Sequence, residues 1–285
     1  IFGLMIPIGF IYLKDLLDTK IYDKDDLLDV LNIPYIGDIP LTNKKTKLIT
    51  KVDYSPKAEA FRIIRSNIDF LLKNNDSKTK KVFITSTRAQ EGKSHTSTNL
   101  ASSISFSEKS VLLIEMDIRV PKIMQYLNEK PTSKIGLSDY IAKKSIKPNE
   151  IVNKLKTNTY LDIIPSGSIP PNPSELLMSD RIKDLFDYFE GKYDYIIVDT
   201  SAVVLVSDTM LISKFADMFI YVVGANNVDK RQLSAVAKPL YDDNRLPNMN
   251  MLLNGTDFDK KGYGYGYGYG NNPHKKKKWY QFGKT

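Results

Sequence analysis

The sequence predicts an α/β protein with a mostly parallel sheet covered by helices on both faces. Two observations indicate this: short apolar runs rich in Ile and Val recur over residues 78–256, and helix-like segments separate several of them. Continuous apolar strands joined by helices are typical of a parallel sheet that is buried on both faces. With 285 residues, of which 42% are hydrophobic, the chain is long enough for one large core with appendages. We therefore expect a doubly wound domain.

The elements of this domain are predicted in chain order. Residues 55–72 form an amphipathic helix, because apolar side chains recur there at spacings of three and four. Residues 94–106 and 173–191 also have helical character. The predicted strands are KKVFITS, SVLLIEMD, TYLDIIPSG, YDYIIVDTS, ADMFIYVVGA and MNMLLNG.

The chain opens with apolar residues, and the first charge is Lys14. This stretch is shorter than the about 20 residues that span a bilayer, and it lacks the basic front end of a signal peptide. We expect residues 1–14 to be the end of a transmembrane helix that leaves the membrane at Lys14. The alternative is a buried core helix or strand. Residues 15–54 are predicted to be a juxtamembrane connector with a helical turn around Asp25–Leu31.

The C-terminal segment, residues 257–285, contains tyrosines that alternate with glycine. Glycine at every second position disfavours a strand, because it has no side chain to pack and loses the most backbone entropy on ordering. We expect a mobile tail that can present each phenol in turn. The alternative is a low-complexity end with no specific role. The tyrosines are Tyr263, Tyr265, Tyr267 and Tyr269.

The net charge of +8 is concentrated in this tail, where seven Lys and two Asp give +5. The remaining domain is only mildly basic, and the tail has no folded platform on which bases could stack, so we do not expect nucleic-acid binding. The chain has no cysteine, which excludes disulfides and Cys-ligated zinc. The two histidines, His95 and His274, lie far apart in sequence and do not indicate a metal site.

A phosphate-binding loop is predicted where Gly92, Lys93 and Ser94 follow a strand and precede a helix. Backbone N–H groups of such a loop surround phosphates, the lysine reaches the β- and γ-phosphates, and the serine hydroxyl ligates Mg²⁺. The usual pattern begins with Gly at the position of Thr87, so the match is incomplete. The residues assigned to nucleotide binding are Gln90, Glu91, Gly92, Lys93, Ser94, His95 and Asn254. His95 is expected only to pack in the first helical turn, and Asn254, after the last strand, to contact adenine.

Two aspartates follow other predicted strands, Asp117 after VLLIEM and Asp199 after YIIV. The carboxyl ends of parallel strands meet at one edge of the sheet, where ligands bind. Carboxylate oxygens are preferred ligands of Mg²⁺, so the metal ligands are predicted to be Ser94, Asp117 and Asp199. Asp117 either completes this shell or accepts the proton of an attacking hydroxyl. The alternative is that both aspartates only cap turns.

Together the segments QEGKS, LLIEMDIR and YIIVDTS resemble the Walker A, A′ and B motifs of bacterial tyrosine kinases, the cytoplasmic kinase domains of polysaccharide co-polymerases. Glu59, Arg62 and Arg65 match the ExxRxxR helix with which this family assembles rings. The terminal tyrosine cluster is also similar, and the resemblance extends over about residues 1 to 270. The departures are Thr87 and Gln90 in the phosphate loop, Glu115 in place of the first A′ aspartate, and Ser201 and Ala202 after the Walker B aspartate.

The resemblance implies a P-loop kinase that uses ATP and Mg²⁺ and phosphorylates its own tail tyrosines between subunits of a ring. Its catalytic residues would be Lys93, Asp117, Arg119 and Asp199, with Arg119 either steadying the phosphoryl group or contacting another subunit. It also implies a bacterial inner-membrane location with a cytoplasmic kinase domain. The implied partners are polysaccharide export machinery and a tyrosine phosphatase.

Two other functions remain open at this point. A partitioning-type ATPase shares the Walker motifs, and a nucleotide-binding scaffold of the export machinery needs no catalysis. The predicted organisation is a membrane-exit segment at 1–14, a connector at 15–54, an oligomerisation helix at 55–77, a kinase domain at 78–256 and a tail at 257–285.

Four phosphates on the tail tyrosines would add about −6 to −8 charges, enough to reverse the +5 charge of the tail. We therefore expect phosphorylation to act as a charge switch in the tail.

Overall fold

An eight-stranded sheet forms the centre of the computed structural model, which describes residues 18–41, 48–127, 135–204 and 206–257. The spatial order of the strands is β1-β8-β7-β2-β6-β3-β5-β4. All neighbouring pairs are parallel except β4 with β5. The strands are β1 (Tyr35–Pro40), β2 (Lys80–Ser86), β3 (Val111–Glu115), β4 (Asn153–Lys154), β5 (Leu161–Ile164), β6 (Tyr195–Asp199), β7 (Met218–Gly224) and β8 (Met249–Thr256).

Helices cover both faces of this sheet, which confirms the predicted doubly wound fold. Phe61 and Ile64 of α2 and Leu100 of α3 belong to the core on one face. Leu27 of α1 and Leu233 of α8 belong to the core on the other. The helices are α1 (Lys24–Val30), α2 (Pro56–Leu71), α3 (Lys93–Ser105), α4 (Leu137–Ala142), α5 (Pro173–Leu177), α6 (Arg181–Phe189), α7 (Asp208–Ile212) and α8 (Lys230–Asp242).

The apolar runs of the sequence become the strands at the centre of the sheet. Every residue of β3, β6 and β7 is buried, as expected for strands that pack helices on both sides. The helix predicted over residues 173–191 is interrupted after Leu177, so it forms the two elements α5 and α6. Helix α8, which carries Pro239 within its span, was not anticipated.

The connector contributes to the folded core, which its sequence did not predict. The expected helical turn is α1, but residues 35–40 also form the edge strand β1, paired with β8. The sequence of β1, YIGDIP, contains Gly, Asp and Pro, which are depleted in strands, and Pro is tolerated at a sheet edge. Ile21 and Leu27 are buried, and Asp26 forms an ion pair with Lys230 of α8 at 2.8 Å.

The predicted membrane-exit segment, residues 1–14, lies outside the described residues, as does the tail from residue 258 onward. Within the part of the chain that the structure describes, no helix has both the length and the apolar character needed to cross a bilayer.

Two neighbouring leucines of α1 test whether the connector is part of the cooperative fold. Leu27 is 1% exposed and Leu28 is 40% exposed. We expect Leu27→Ala to lower the free energy of unfolding by about 2–4 kcal/mol, because it leaves a cavity in a buried core. The matched control, Leu28→Ala, should change it by about 0.5 kcal/mol or less. Urea unfolding followed by circular dichroism measures both, and equal small effects would show that α1 does not fold with the sheet.

Candidate nucleotide-binding and phosphotransfer site

The phosphate loop joins the end of β2 at Ser86 to the start of α3 at Lys93. Gln90 and Gly92 have φ angles of 70° and 97°, so both residues have left-handed backbone conformations. This conformation is unfavourable for Gln and accessible to Gly. The N-cap of α3 is Gly92, which has no side chain to accept a hydrogen bond from the first-turn N–H groups. The N–H groups of the first turn are therefore free of a side-chain cap, as a phosphate-binding helix end requires.

Asn254 from the end of β8 packs directly against this loop. Its Nδ2 donates to the carbonyl oxygen of Glu91 at 2.9 Å. A Cβ atom on Gly92 would lie 2.1 Å from the same Nδ2, so a side chain here would displace Asn254, and the φ of 97° adds strain for any residue other than glycine. The structure therefore gives Asn254 a positioning contact with the loop, while the predicted contact with adenine stays a prediction.

Asp199 ends β6 in the middle of the carboxyl edge of the sheet. Its side chain is fully buried, and neither carboxylate oxygen has a hydrogen-bond partner among the described residues. Burial raises its pKa to about 7, opposed by the neighbouring Ser94 hydroxyl and the Lys93 ammonium group. A buried carboxylate without partners costs free energy unless a cation neutralises it, so this side chain is suited to a metal.

Asp117 lies beside Asp199 because their strands are neighbours. The N–H groups of Met116 and Asp117 donate to the Asp199 carbonyl at 2.9 and 3.1 Å. The Asp117 carboxylate accepts a hydrogen bond from the Ser201 hydroxyl at 3.1 Å and one from the Val120 N–H at 3.2 Å. Ser201 is one of the departures from the family pattern, and here it orients the proposed proton acceptor.

The donor set fits Mg²⁺ with a nucleotide. Lys93 and Ser94 begin α3 beside Asp199, and Asp117 adds a second carboxylate. No cluster of three His, Cys, Asp or Glu side chains able to hold a metal occurs in the described residues. Mg²⁺ keeps several waters and takes one or two carboxylates together with phosphate oxygens, a set that Ser94, Asp117, Asp199 and a nucleotide could provide. These residues would hold the ion, which supplies charge neutralisation for the phosphates.

Glu115, which replaces the first A′ aspartate, is a structural anchor for the loop that carries Asp117. Its Oε1 accepts the N–H groups of Lys122 and Ile123, both at 2.6 Å, and its Oε2 accepts that of Ser166 at 3.2 Å. Burial raises the pKa of Glu115, and these hydrogen bonds act in the opposite direction. The carboxylate thus ties the A′ loop to the segment after β5.

Arg119 forms a bidentate ion pair with Asp208, which is 1% exposed. The Nε and Nη2 atoms donate to the two Asp208 oxygens at 2.7 and 3.1 Å, and Nη2 also donates to the Ser174 hydroxyl at 2.8 Å. The pair raises the pKa of Arg119 above its ordinary value. Sequence reasoning missed Asp208 and Ser174, since neither belongs to a recognisable motif and only the fold brings them to Arg119.

Two further sequence features have local explanations. The Thr87 hydroxyl, where the usual motif has Gly, shares a buried hydrogen bond of 3.0 Å with the Tyr221 hydroxyl. His95 packs against the rings of Phe61 and Tyr126, with centroids 6.1 and 6.0 Å away. Burial and the nearby Lys57 lower the pKa of His95 to about 4. The geometry gives His95 a packing role, as expected.

The three residues proposed for ring assembly make contacts within the chain. Arg62 donates to Glu59 at 2.9 Å and to the Asp53 carbonyl at 2.5 Å. Arg65 donates to the Ser103 carbonyl at 2.7 Å and so joins α2 to α3. Their role between subunits stays a prediction, as do the tail phosphoacceptors, which lie outside the described residues.

Comparisons with known proteins match this chain to a domain family and to named kinases. The family model of the AAA domain matches residues 79–237, which include the phosphate loop and both aspartates. The tyrosine-protein kinase YwqD of Bacillus subtilis is 34% identical over 206 residues, covering 72% of this chain and 84% of YwqD. The chain therefore belongs to the bacterial tyrosine-protein kinase family, as its motifs predicted.

Other relatives agree with this assignment. The tyrosine-protein kinase wzc of Salmonella typhimurium is 28% identical over 287 residues, covering 92% of this chain but only 38% of wzc. The chain thus spans about two fifths of this longer relative. The kinase domain of the Escherichia coli tyrosine kinase ETK superposes with a TM-score of 0.73 at 26% identity, covering 87% of this chain and 99% of that domain.

A pair of glycines tests the close contact at the phosphate loop. We expect Gly92→Ala to abolish nucleotide binding, because its Cβ would overlap Asn254 and its φ of 97° is unfavourable. Gly191→Ala is the control, since its φ is also positive, at 76°, but the nearest atom, on Lys78, is at an ordinary 3.6 Å. It should cost about 1 kcal/mol of stability without changing nucleotide affinity. Calorimetric titration with Mg²⁺ and ADP distinguishes them, and equal affinities would contradict this geometry.

The ion pair of Arg119 with Asp208 is open to a double-mutant cycle. We expect Arg119→Met to destabilise the fold by about 2–3 kcal/mol, because the buried Asp208 carboxylate loses its cation while the Ser174 hydroxyl still donates to it. Adding Asp208→Asn should restore much of that loss, and chemical unfolding of the single and double variants measures the coupling. Additive effects would show that the pair does not contribute to stability.

Proposed function

We propose that this chain transfers the γ-phosphoryl group of ATP to tyrosines of the C-terminal cluster, Tyr263, Tyr265, Tyr267 and Tyr269. The observation that carries the proposal is the unpartnered, buried carboxylate of Asp199 between the start of α3 and Asp117. Such a carboxylate needs a cation, and a cation here would lie between a phosphate loop and a second carboxylate. Family membership supports tyrosine as the acceptor.

Each residue has a role that its position supports. Lys93 and the first-turn N–H groups of α3 bind the phosphates, and Ser94 and Asp199 hold Mg²⁺. Asp117, oriented by Ser201, accepts the proton of the phenol, whose pKa is near 10 in water. Arg119, bound to Asp208, fixes the loop that carries Asp117. A direct contribution of Arg119 to the transferring group requires that this pair rearrange.

Transfer between copies fits the topology better than transfer within one copy. The tail leaves the sheet after β8, whereas Asp117 follows β3, and β7, β2 and β6 lie between them. Four strand spacings amount to about 19 Å. A tail that crossed this distance within its own chain would run over the phosphate loop after β2, where the nucleotide binds. The tail of a neighbouring copy could reach Asp117 without crossing this phosphate loop.

The resemblance to kinase domains of polysaccharide co-polymerases extends the proposal to the cell. We place the chain at the bacterial inner membrane through residues 1–14, with the kinase domain in the cytoplasm and Glu59, Arg62 and Arg65 at the contacts of a ring. Phosphorylation of the tail would regulate exopolysaccharide or capsule synthesis and export. Export proteins and a tyrosine phosphatase would be its partners.

Intact-mass spectrometry tests the kinase activity. With ATP and Mg²⁺ we expect a ladder of up to four phosphate additions that map to the tail cluster, and none for Lys93→Met, which lacks the phosphate-binding ammonium group. A chain with the four cluster tyrosines, Tyr263, Tyr265, Tyr267 and Tyr269, changed to Phe should phosphorylate the Lys93→Met chain when the two are mixed. That result requires transfer between copies.

The other outcomes identify the competing functions. Release of free phosphate without any phosphoprotein would indicate an ATPase. Nucleotide binding without either product would indicate a scaffold. A ladder on the wild-type chain alone, with no transfer to Lys93→Met in the mixture, would overturn the proposal of transfer between copies.

A further inference from the structure

A cavity of about 240 Å³ lies between α2 and the end of α3, and we call it the α2–α3 cavity. Three cationic side chains line it: Lys51 before α2, and Arg62 and Arg65 on α2. Ser103 of α3 also lines it, ten residues along the helix from Lys93. At 1.5 Å per residue this separation is about 15 Å, so the cavity is distinct from the phosphate loop.

Arg65 has N–H groups available for a ligand in this cavity. Its Nη1 donates to the Ser103 carbonyl at 2.7 Å, and it forms no ion pair with a carboxylate in the part of the chain that the structure describes. A guanidinium group has five N–H donors in a rigid plane, which match phosphate oxygens in pairs. The bond to Ser103 therefore fixes Arg65 in the cavity wall and leaves most of its donors for an anion.

The other two cations are paired only at the surface. Arg62 donates to Glu59 at 2.9 Å and to the Asp53 carbonyl at 2.5 Å. Lys51 lies 3.9 Å from Glu108, and both side chains are 67% exposed, so this pair contributes little. No Asp or Glu is among the described residues that line the cavity. The wall therefore favours a negatively charged ligand.

The hydroxyl of Ser103 is a second, independent feature that indicates a ligand. Ser103 is 1% exposed, and its Oγ has no hydrogen-bond partner among the described residues. Buried hydroxyl groups nearly always have a partner, and an exception calls for an explanation such as an ion that binds there. A phosphate oxygen in the cavity would accept the Ser103 O–H.

The rest of the wall is apolar. Ile49 and Ala58 are buried, and Phe106, directly after α3, supplies an aromatic ring. Another aromatic ring packs favourably against such a surface. The volume of about 240 Å³ is below the about 300–1,000 Å³ of pockets for drug-sized ligands. A single side chain with a ring and an anionic group therefore suits this cavity better than a nucleotide.

We infer that the α2–α3 cavity binds a phosphotyrosine of the C-terminal cluster, with its phosphate at Arg62 and Arg65 and its ring against Phe106. The inference rests on the proposed function, because this ligand is the product of that reaction. A phosphotyrosine carries about −1.5 to −2 charges and three strong acceptor oxygens. The unmodified phenol has no such charge, so the cavity distinguishes the phosphorylated tail from the unmodified tail. In residues 262–270 every residue other than Tyr is Gly, so no other side chain of that segment competes.

Peptide binding measured by fluorescence anisotropy tests the inference. The probe is a synthetic peptide of residues 262–270 with phosphotyrosine in place of Tyr265. The protein is the full chain with its four cluster tyrosines changed to Phe, so that its own tail supplies no phosphotyrosine. We expect this peptide to bind about tenfold more tightly than the same peptide without phosphate or with phosphoserine at that position. Neither of these has both the charge and the modified ring.

Two variants and a matched control locate the binding site. Arg65→Gln should weaken binding of the phosphotyrosine peptide about tenfold, and Lys51→Gln about threefold, because Lys51 is more exposed. The control, Arg245→Gln, removes an exposed arginine outside the cavity and should have no effect. Urea unfolding followed by circular dichroism checks that each variant is folded. If Arg65→Gln is unfolded, Lys51→Gln decides, since its side chain is 67% exposed. Equal affinities of the unaltered and altered cavities would overturn the inference.

Failure of this inference is distinguishable from failure of the kinase proposal, because the peptide is phosphorylated by synthesis and binds without ATP. If mass spectrometry finds no tail phosphorylation but the peptide binds in this Arg65-dependent way, the kinase proposal fails and the binding site stands. If the tail is phosphorylated but binding does not depend on the cavity, the inference alone fails. Equal, Arg65-dependent affinity for the phosphoserine peptide would indicate a general phosphate site and overturn the assignment to phosphotyrosine.

An acidic side chain of a second copy is the other occupant, since Arg62 and Arg65 are also the proposed ring contacts. Loss of assembly in Arg65→Gln, measured by light scattering, with unchanged affinity for the phosphotyrosine peptide, would assign the cavity to that contact and overturn the inference.

Discussion

A buried carboxylate at the centre of the sheet's carboxyl edge, with no hydrogen-bond partner among the described residues, is the constraint on which the candidate site depends. Asp199 is the last residue of β6, and β6 lies between β2 and β3. Its backbone carbonyl holds the first residues of the A′ loop, while its carboxylate oxygens have no hydrogen-bond partner in the part of the chain that the structure describes. The fold therefore retains an electrostatic cost at the position where a cation would remove it, which is typical of functional sites.

The departures from the usual motifs are accommodated by hydrogen bonds that form only in the folded chain. Thr87 is paired with Tyr221, Ser201 binds Asp117, and Glu115 accepts three backbone N–H groups. A longer acidic side chain at position 115 thus acts as a structural anchor. Lys93, Ser94, Asp117 and Asp199 keep the residue types of the motif, and the altered positions hold the loops on which these residues lie.

The connector is linked to the phosphate loop by the loop after β7. Residues 18–22 bind the loop after β7 through backbone hydrogen bonds, such as Asn226 N–H to the Ile21 carbonyl at 2.7 Å. The carbonyl of the next residue, Asn227, accepts a hydrogen bond from Arg88 of the phosphate loop at 2.6 Å. The start of the described chain and the phosphate loop are therefore in contact through a single short loop.

The sequence by itself determined the strands of the central sheet, the phosphate loop and the two aspartates, because these depend on local apolar runs and on short motifs at strand ends. Only the tertiary structure decided the rest. It showed β1, three of whose six residues are poor strand formers and which is stabilised by pairing with β8. It also brought Asp208 and Ser174 to Arg119. Contacts between residues far apart in sequence leave no periodicity or spacing to read, since they exist only once the chain has folded.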